Sequence, residues 1–389
     1  MKKFLTIDFG YYDSSKYWKD IGAIPYALSK YFDYKSSLIC LGNEEKIDGK
    51  YEKYVNLIQL NYKKNNMLKN ILIIFSYIFK QANNYDIINM YHGNILTIIL
   101  AYIAKLKNPN AKIYIKLDLG REYYNRLFVT NRNNNLKYKI ISMLNKVIDL
   151  YTVETREYVN ELNNIKKFHG KVKYLPNGFF SDLVEIDKNI KKEKIILTVG
   201  RLGTLEKNTE MLVEAIENIE TEKLKNWKIY LVGSMTTEFT KWFNERLNVK
   251  PYLKNYFIVT GNISDKKELY TLYAKSSVFV LPSRWESWGL ALTEAMAFGC
   301  FPIVTDCCDA FYEILDIDNS NFGKIIPNED KNALKSAIEE VLDNKVDYIN
   351  NGIKAHEFVS ENFDWEIIAQ KLDNYFREIY ETRLCTKKY

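Results

Sequence analysis

Pro282-Ser-Arg-Trp-Glu286-Ser-Trp-Gly289-Leu290-Ala-Leu-Thr-Glu294-Ala-Met-Ala-Phe-Gly299 is the stretch on which the fold turns. It follows Val278-Phe-Val-Leu281, an apolar run of the length and composition of a strand buried on both faces. A polar loop carrying Glu286 comes next, and Gly289-Leu290 opens a helical segment that carries Glu294. The first N–H groups of such a helix lack intrahelical partners, which makes its start a seat for a diphosphate. Gly289 has no side chain and lets the backbone approach closely. Glu286 and Glu294, with seven residues between them, flank that seat. An ionised carboxylate accepts from both hydroxyls of a vicinal diol, so one suits a sugar ring and the other a ribose.

Outward from this stretch the same rhythm continues. Strand-like runs occur at 195–199, 229–232, 257–259, 278–281, 303–305 and 324–326, separated by segments of helical spacing such as 211–219, 269–274 and 333–342. Asp265 stands three residues before Glu268, a capping spacing that starts a helix after Ser264. Short strands alternating with helices predict parallel βαβ units. The first half repeats the theme at 4–8, 37–41, 87–90, 112–117, 150–153 and 171–174, with an Asn-rich loop expected at 131–135. At 389 residues the chain is long for one core and reads as two α/β domains. They meet near Pro176-Asn177-Gly178, with the charged 179–194 stretch as linker.

Ligands of an open parallel sheet bind beyond the carboxyl ends of its strands. A second signal lies at such a place: Leu197-Thr-Val-Gly200-Arg201-Leu-Gly-Thr-Leu-Glu-Lys207-Asn208. Negative charge builds on a departing nucleoside diphosphate, and fixed cations stabilise it. Arg201 can fork onto two phosphate oxygens while Lys207 serves as a point charge.

These two segments resemble the donor-binding signatures of family-4 glycosyltransferases, which are retaining enzymes of the GT-B fold. Leu175-Pro-Asn177-Gly178, Val232-Gly233, Thr260-Gly261-Asn-Ile-Ser264 and Asn362-Phe-Asp-Trp365 agree with it, and the match is specific over about residues 172–380. The resemblance implies two Rossmann-like α/β domains facing across a cleft: an acceptor-side domain over 1–180 and a nucleotide-sugar-binding domain over 190–363. A C-terminal helix, within 364–389, crosses back to the first domain. It also implies roles. Arg201 and Lys207 hold the diphosphate, Glu286 contacts the transferred sugar, and Gly289 and Leu290 offer backbone to the β-phosphate. Glu294 binds the ribose, and the backbone of Gly261 to Ile263 sits near the base. In the first half, Gly22 stands for the phosphate-approaching glycine loop. Asp118 is kept from the family's His-containing pair, with Leu117 at the usual His position. His92, after an earlier strand, either occupies the cleft or is a hydrogen-bonded structural histidine. No metal or other cofactor is implied; the nucleotide sugar, taken as a UDP-sugar, is the co-substrate. The acceptor is a glycan, a lipid-linked sugar or a protein hydroxyl, in bacterial surface polysaccharide or glycoconjugate synthesis.

Composition narrows the alternatives. Five Cys with no CxxC pair and three scattered His support neither a disulfide framework nor a zinc site, and a reducing cytoplasm suits them. The formal charge of +6 comes without a nucleic-acid-reading signature. Met-Lys-Lys followed by Phe4–Asp8 is too short for a signal peptide, and the runs 71–79 and 95–104 fall below the roughly 20 residues of a membrane span. The basic amphipathic stretches 64–80 and 137–146 suit either peripheral contact with an anionic membrane or coverage of the first sheet. A sugar-nucleotide epimerase would want titratable groups around the sugar, and a phosphorylase of the glycogen type a lysine-held pyridoxal phosphate. A catalytically silent subunit that binds a partner transferase is the remaining competitor; Arg201, Lys207, Glu286 and Glu294 argue against it.

Overall fold

Strand and helix alternate along the chain because short β-branched and aromatic runs are set between segments of helical period, and each run can bury both faces only beneath helices. The computed structural model describes residues 1–386 apart from 12–16, 43–48, 65, 121–123, 126–144, 166, 167, 169, 184, 188, 317–319 and 321. The basic stretch expected at 137–146 and the loop expected at 131–135 lie mostly or wholly outside the described residues. The chain divides into two units, Met1–Asn177 with Trp365–Tyr389, and Gly178–Asp364.

The first unit runs β1 (Lys2–Tyr11), α1 (Asp20–Tyr31), β2 (Tyr34–Leu41), α2 (Gly49–Glu52), β3 (Val55–Leu60), α3 (Met67–Gln81), β4 (Ile87–Tyr91), α4 (Ile95–Lys107), β5 (Lys112–Lys116), β6 (Leu150–Val153), α5 (Arg156–Asn163) and β7 (Val172–Tyr174). Its sheet has the order β3-β2-β1-β4-β5-β6-β7, with each described pairing parallel. The second unit runs β8 (Glu193–Val199), α6 (Thr209–Glu217), β9 (Lys228–Val232), α7 (Thr237–Val249), β10 (Phe257–Gly261), α8 (Lys266–Lys275), β11 (Ser276–Leu281), α9 (Leu290–Ala297), β12 (Phe301–Thr305), α10 (Ala310–Ile314), β13 (Lys324–Ile326), α11 (Lys331–Leu342) and α12 (Tyr348–Asn362). Its sheet is β10-β9-β8-β11-β12-β13, again parallel. The strand order therefore reverses once in each sheet, between β1 and β4 and between β8 and β11. Such reversal points open the crevice where ligands of this architecture bind.

Local chemistry sets the element ends. Asp265 caps α8 by accepting from the Lys267 N–H at 2.9 Å, so the helix starts after Ser264 as its spacing predicts. Asn66 and Asn94 cap α3 and α4 in the same way. Strand β3 is a departure from the sequence reading. Its Asn56 and Gln59 interrupt the apolar run, and it escapes detection because an edge strand buries only part of its surface. The 179–194 stretch is also more than a solvated linker. Phe179, Phe180 and Leu183 are buried, and the Phe179 N–H donates to the Phe363 carbonyl.

The last helix, α13 (Trp365–Thr386), belongs to the first unit. Trp365, Ile368, Ala369, Leu372 and Phe376 are buried at helical spacing. The Phe376 ring meets Phe4 and Tyr114, and Tyr34 donates to Asp373 at 2.7 Å. Burying one such phenylalanine stabilises the docking by about 1.5–3 kcal/mol.

Candidate functional site

In the second unit, glycines bring three strand ends into close register. The Gly200 N–H donates to Val232, and the Gly233 N–H donates to Gly261. Gly233 has φ +134°, and a Cβ there would lie 1.7 Å from the Gly200 carbonyl oxygen. Gly200 leaves room for the stem of Lys207, whose Cε would be 3.5 Å from an added Cβ. Gly289 stands at the cap of α9 with φ +89°, where a Cβ would meet the Phe311 ring at 2.6 Å. Its freedom therefore serves both the turn and the close packing beneath it.

The loops after β8 and β11 are tied together across the reversal point. The Arg284 N–H donates to Glu206, and the Arg284 guanidinium to Leu205 and Glu329. Lys207 is ion-paired with Glu286, which also accepts from Ser283 Oγ at 2.8 Å. Arg201 pairs with Glu206 while staying 69% exposed. Partial burial opposes ionisation of Glu206, yet its own backbone N–H and Arg201 hold it below the usual carboxylate range. A pair this exposed adds little stability, so Arg201 can turn to a ligand at small cost. Lys207 and Glu286 are only 19% and 12% exposed, so a ligand that recruits Lys207 must compete with that carboxylate.

Glu294, on α9, is held from both sides. Its Oε1 accepts from Lys266 Nζ at 2.6 Å and Tyr270 at 3.4 Å, and its Oε2 from Tyr273 at 3.3 Å. Burial, and after it the Glu294 charge, push both phenols well above their ordinary range, so they remain donors. A carboxylate has about four lone-pair positions, so this one keeps room for a further hydroxyl. Leu290 begins α9, while Gly261 (φ +72°) and Ile263 lie where β10 runs toward α8. Among the described residues nothing lies within 4 Å of the Cβ position of Gly261. The loops after β8 and β11 thus carry Arg201, Lys207, Glu286 and Gly289, helix α9 carries Leu290 and Glu294, and Gly261 and Ile263 lie at and just after the end of β10.

In the first unit, the sequence-selected residues sit differently. Gly22 is in the first turn of α1 rather than in a loop, and it is buried. Its N–H donates to Lys19, and a Cβ would lie 2.4 Å from the Tyr17 Cα. The absence of a side chain is thus taken up by packing against Tyr17. His92 (φ +59°) and Asp118 (φ +47°) follow β4 and β5 in left-handed conformation, and the His92 side chain is exposed. The His92 N–H donates to Lys116. Asn177 is buried at the end of the unit, its Oδ1 lacking a hydrogen-bond partner among the described residues.

Beside Asp118 lies a buried polar cluster that the sequence reading missed. Lys116 and Glu154, both fully buried, form an ion pair of 2.7 Å. Lys116 also donates to the Leu175 carbonyl, and Glu154 accepts from the Leu119 N–H. Burial pushes the Glu154 carboxyl up, and Lys116 opposes it. Asp20, on the first turn of α1, is pushed up to about 7 by burial and by the charges of Asp118 and Glu154, against the pull of Lys116. A lysine breaking the apolar run 112–117 and a glutamate just after Val153, on adjacent strand ends, were the available signal.

Residues 193–344 match the family described as Glycosyl transferases group 1. A probable sucrose-phosphate synthase of Thermosipho melanesiensis is 25% identical over 224 residues, 56% of this chain and 49% of that protein. The chain spans about half the length of the curated relatives it matches. Among solved structures, a sucrose-phosphate synthase from Thermosynechococcus elongatus superposes with a TM-score of 0.73 at 18% identity, covering 98% of this chain and 100% of that one. Anabaena HepE, solved with UDP and glucose, gives 0.71 at 14% identity, covering 97% and 100%. The chain therefore has the GT-B fold, and its second unit carries the segment that is similar to the group 1 glycosyl transferases.

Proposed function

We propose that this chain is a retaining, metal-independent glycosyltransferase that moves a sugar from a UDP-sugar to a hydroxyl of a glycan, a lipid-linked sugar or a protein. The second unit takes the donor and the first the acceptor. The observation that carries this reading is the meeting of Lys207, Glu286 and the Gly289-led start of α9 at the strand-order reversal of the second sheet. HepE, of like fold, is solved with UDP and glucose, which supports the choice of donor.

As the bond from the sugar's anomeric carbon to the phosphate oxygen breaks, the electron pair leaves with the diphosphate. Lys207, Arg201 and the first N–H groups of α9 meet that charge. The acceptor oxygen attacks from the same face, and its proton passes to the departing phosphate. Glu286 faces the sugar and Glu294 the ribose, on either side of the phosphate seat. Two cations and a helix start supply the electrostatic role a metal would otherwise fill.

A thermal-shift screen of UDP, GDP and ADP with their sugars tests the reading. A ligand at a hundred times its Kd stabilises by about 2.7 kcal/mol, and UDP is expected to do so. If no nucleoside diphosphate raises the melting temperature, the donor assignment fails.

A further inference from the structure

Helices α3 and α4 carry an apolar face that the described residues of the first unit leave uncovered. Met67, Leu68, Leu72 and Phe79 of α3, with Tyr102 and Leu106 of α4, are among the large hydrophobic side chains left exposed, Leu68 at 75% and Leu72 at 66%. They are not scattered. At 3.6 residues per turn, Leu68, Leu72 and Phe79 point within about 40° of one another, opposite the buried Asn70, Ile74 and Ile78. Tyr102 and Leu106 follow one turn apart on the neighbouring helix, which packs against α3. Isolated surface leucines need no explanation, but a stripe of them across two adjacent helices does.

The charge around the stripe says what covers it. Between Asn61 and Lys107 there are six lysines and one acidic residue, Asp86. Asp86 accepts from the Lys3 N–H, at the start of its strand. Lys64, Lys69 and Lys80 are exposed, and Lys107 lies over the Phe79 ring at 3.6 Å. Met67 and Ile71 of the same helix also line a cavity of about 550 Å³ with Phe9, Tyr62 and Leu96. The amides in its wall are already committed: Asn66 and Asn94 cap helices, and Asn70 bonds the Lys63 backbone. The cavity wall joins apolar and aromatic side chains to these committed amides.

We infer that the α3–α4 face docks on an anionic lipid bilayer, with Leu68, Leu72, Phe79 and Leu106 entering the headgroup–acyl boundary and the flanking lysines meeting lipid phosphates. A second copy of the chain on the same face would bring like charges together. A bilayer offers apolar depth and negative charge at once. This goes beyond the donor reading and does not depend on it.

The test is sedimentation of the full chain with vesicles of phosphatidylcholine containing phosphatidylglycerol, and with phosphatidylcholine alone, at ~0.1 M salt. The wild type is expected to pellet with the anionic vesicles only, and less so as salt rises. Replacing Lys64, Lys69 and Lys80 by alanine should weaken binding about fivefold per lysine. Leu72→Ser with Phe79→Ser should lower it at least about tenfold. All are surface positions, and an unchanged melting curve and UDP affinity confirm that each variant is folded. Wild type that stays in the supernatant overturns the inference, as do variants that bind as well as it does. So does a concentration-dependent increase in mass that Leu72→Ser abolishes, which would place a second copy on this face. The UDP titration reports on the donor site alone, so failure of either reading is seen separately.

Discussion

Gly233→Ala is the substitution that probes the glycine-built edge of the second sheet most sharply. The new Cβ would lie 1.7 Å from the Gly200 carbonyl oxygen, at a backbone φ of +134°. Reaching even the shortest contact that real Cβ atoms make requires the two chains to part by roughly 1.3 Å, in an interior that yields little. Holding a non-glycine residue in that conformation costs about 1–3 kcal/mol, and forcing main chains apart about 1–3 kcal/mol more. The total, about 2–6 kcal/mol, corresponds to roughly 5–20 °C in the melting temperature of a unit of this size. Gly261→Ala is the matched control. Its φ is +72° with no described residue within 4 Å, so only the left-handed strain of about 1–2 kcal/mol applies. Calorimetric melting of both variants, followed by titration with UDP, gives the readout. Because Gly200 carries Arg201 on its carboxyl side, folded Gly233→Ala should also bind the diphosphate more weakly. A Gly233→Ala protein that melts within about 2 °C of wild type, or no lower than Gly261→Ala, refutes the reasoning.

Lys207→Ala and Arg201→Ala should each lower turnover roughly 10²- to 10³-fold, the scale for losing one stabiliser of developing charge; near-normal steady-state rates in both would remove their leaving-group role. Glu286→Gln should depress transfer without weakening UDP binding, because it frees Lys207 from its carboxylate partner. Glu294→Gln should weaken UDP and the intact donor alike by about 1–3 kcal/mol, since Lys266 and the two tyrosines then lose their charged acceptor along with the ribose. Calorimetric titration separates the two, and a Glu286→Gln protein that loses UDP affinity as severely as Glu294→Gln would reverse the assigned polarity. Asp20 gives a pH signature. Its folded value, about 7, lies above the ordinary carboxylate range, so its contribution to stability is fully present below about pH 4 and is lost as pH rises to 7. Asp20→Asn should therefore gain stability relative to wild type across that interval, by roughly 1–4 kcal/mol in urea unfolding; parallel pH profiles for the two proteins would contradict the burial of a neutral Asp20.

The alternation of strand and helix, the parallel sheets and the start of α8 at Asp265 were legible in the residues themselves, because each is set by local periodicity, turn chemistry or capping. Strand β3 was not. Its Asn56 and Gln59 are tolerated only because it lies at a sheet edge, and strand order is a long-range property. The sequence also singled out Arg201, Lys207, Glu286 and Glu294, since their residue types follow strands and glycines at short range. Their surroundings were decided elsewhere: Glu206 holds Arg201, Ser283 shares Glu286 with Lys207, and Lys266, Tyr270 and Tyr273 converge on Glu294. Gly22 shows the limit most clearly. A glycine in sequence says only that a side chain is missing, and the fold fills that space with the Tyr17 backbone. The Lys116–Glu154 pair and the raised Asp20 likewise needed the structure, because burial and charge proximity across separate strands are properties of packing. Local pattern determined which elements form and which residues follow the strands; tertiary packing alone decided which charges meet, which stay dry and which apolar face remains uncovered.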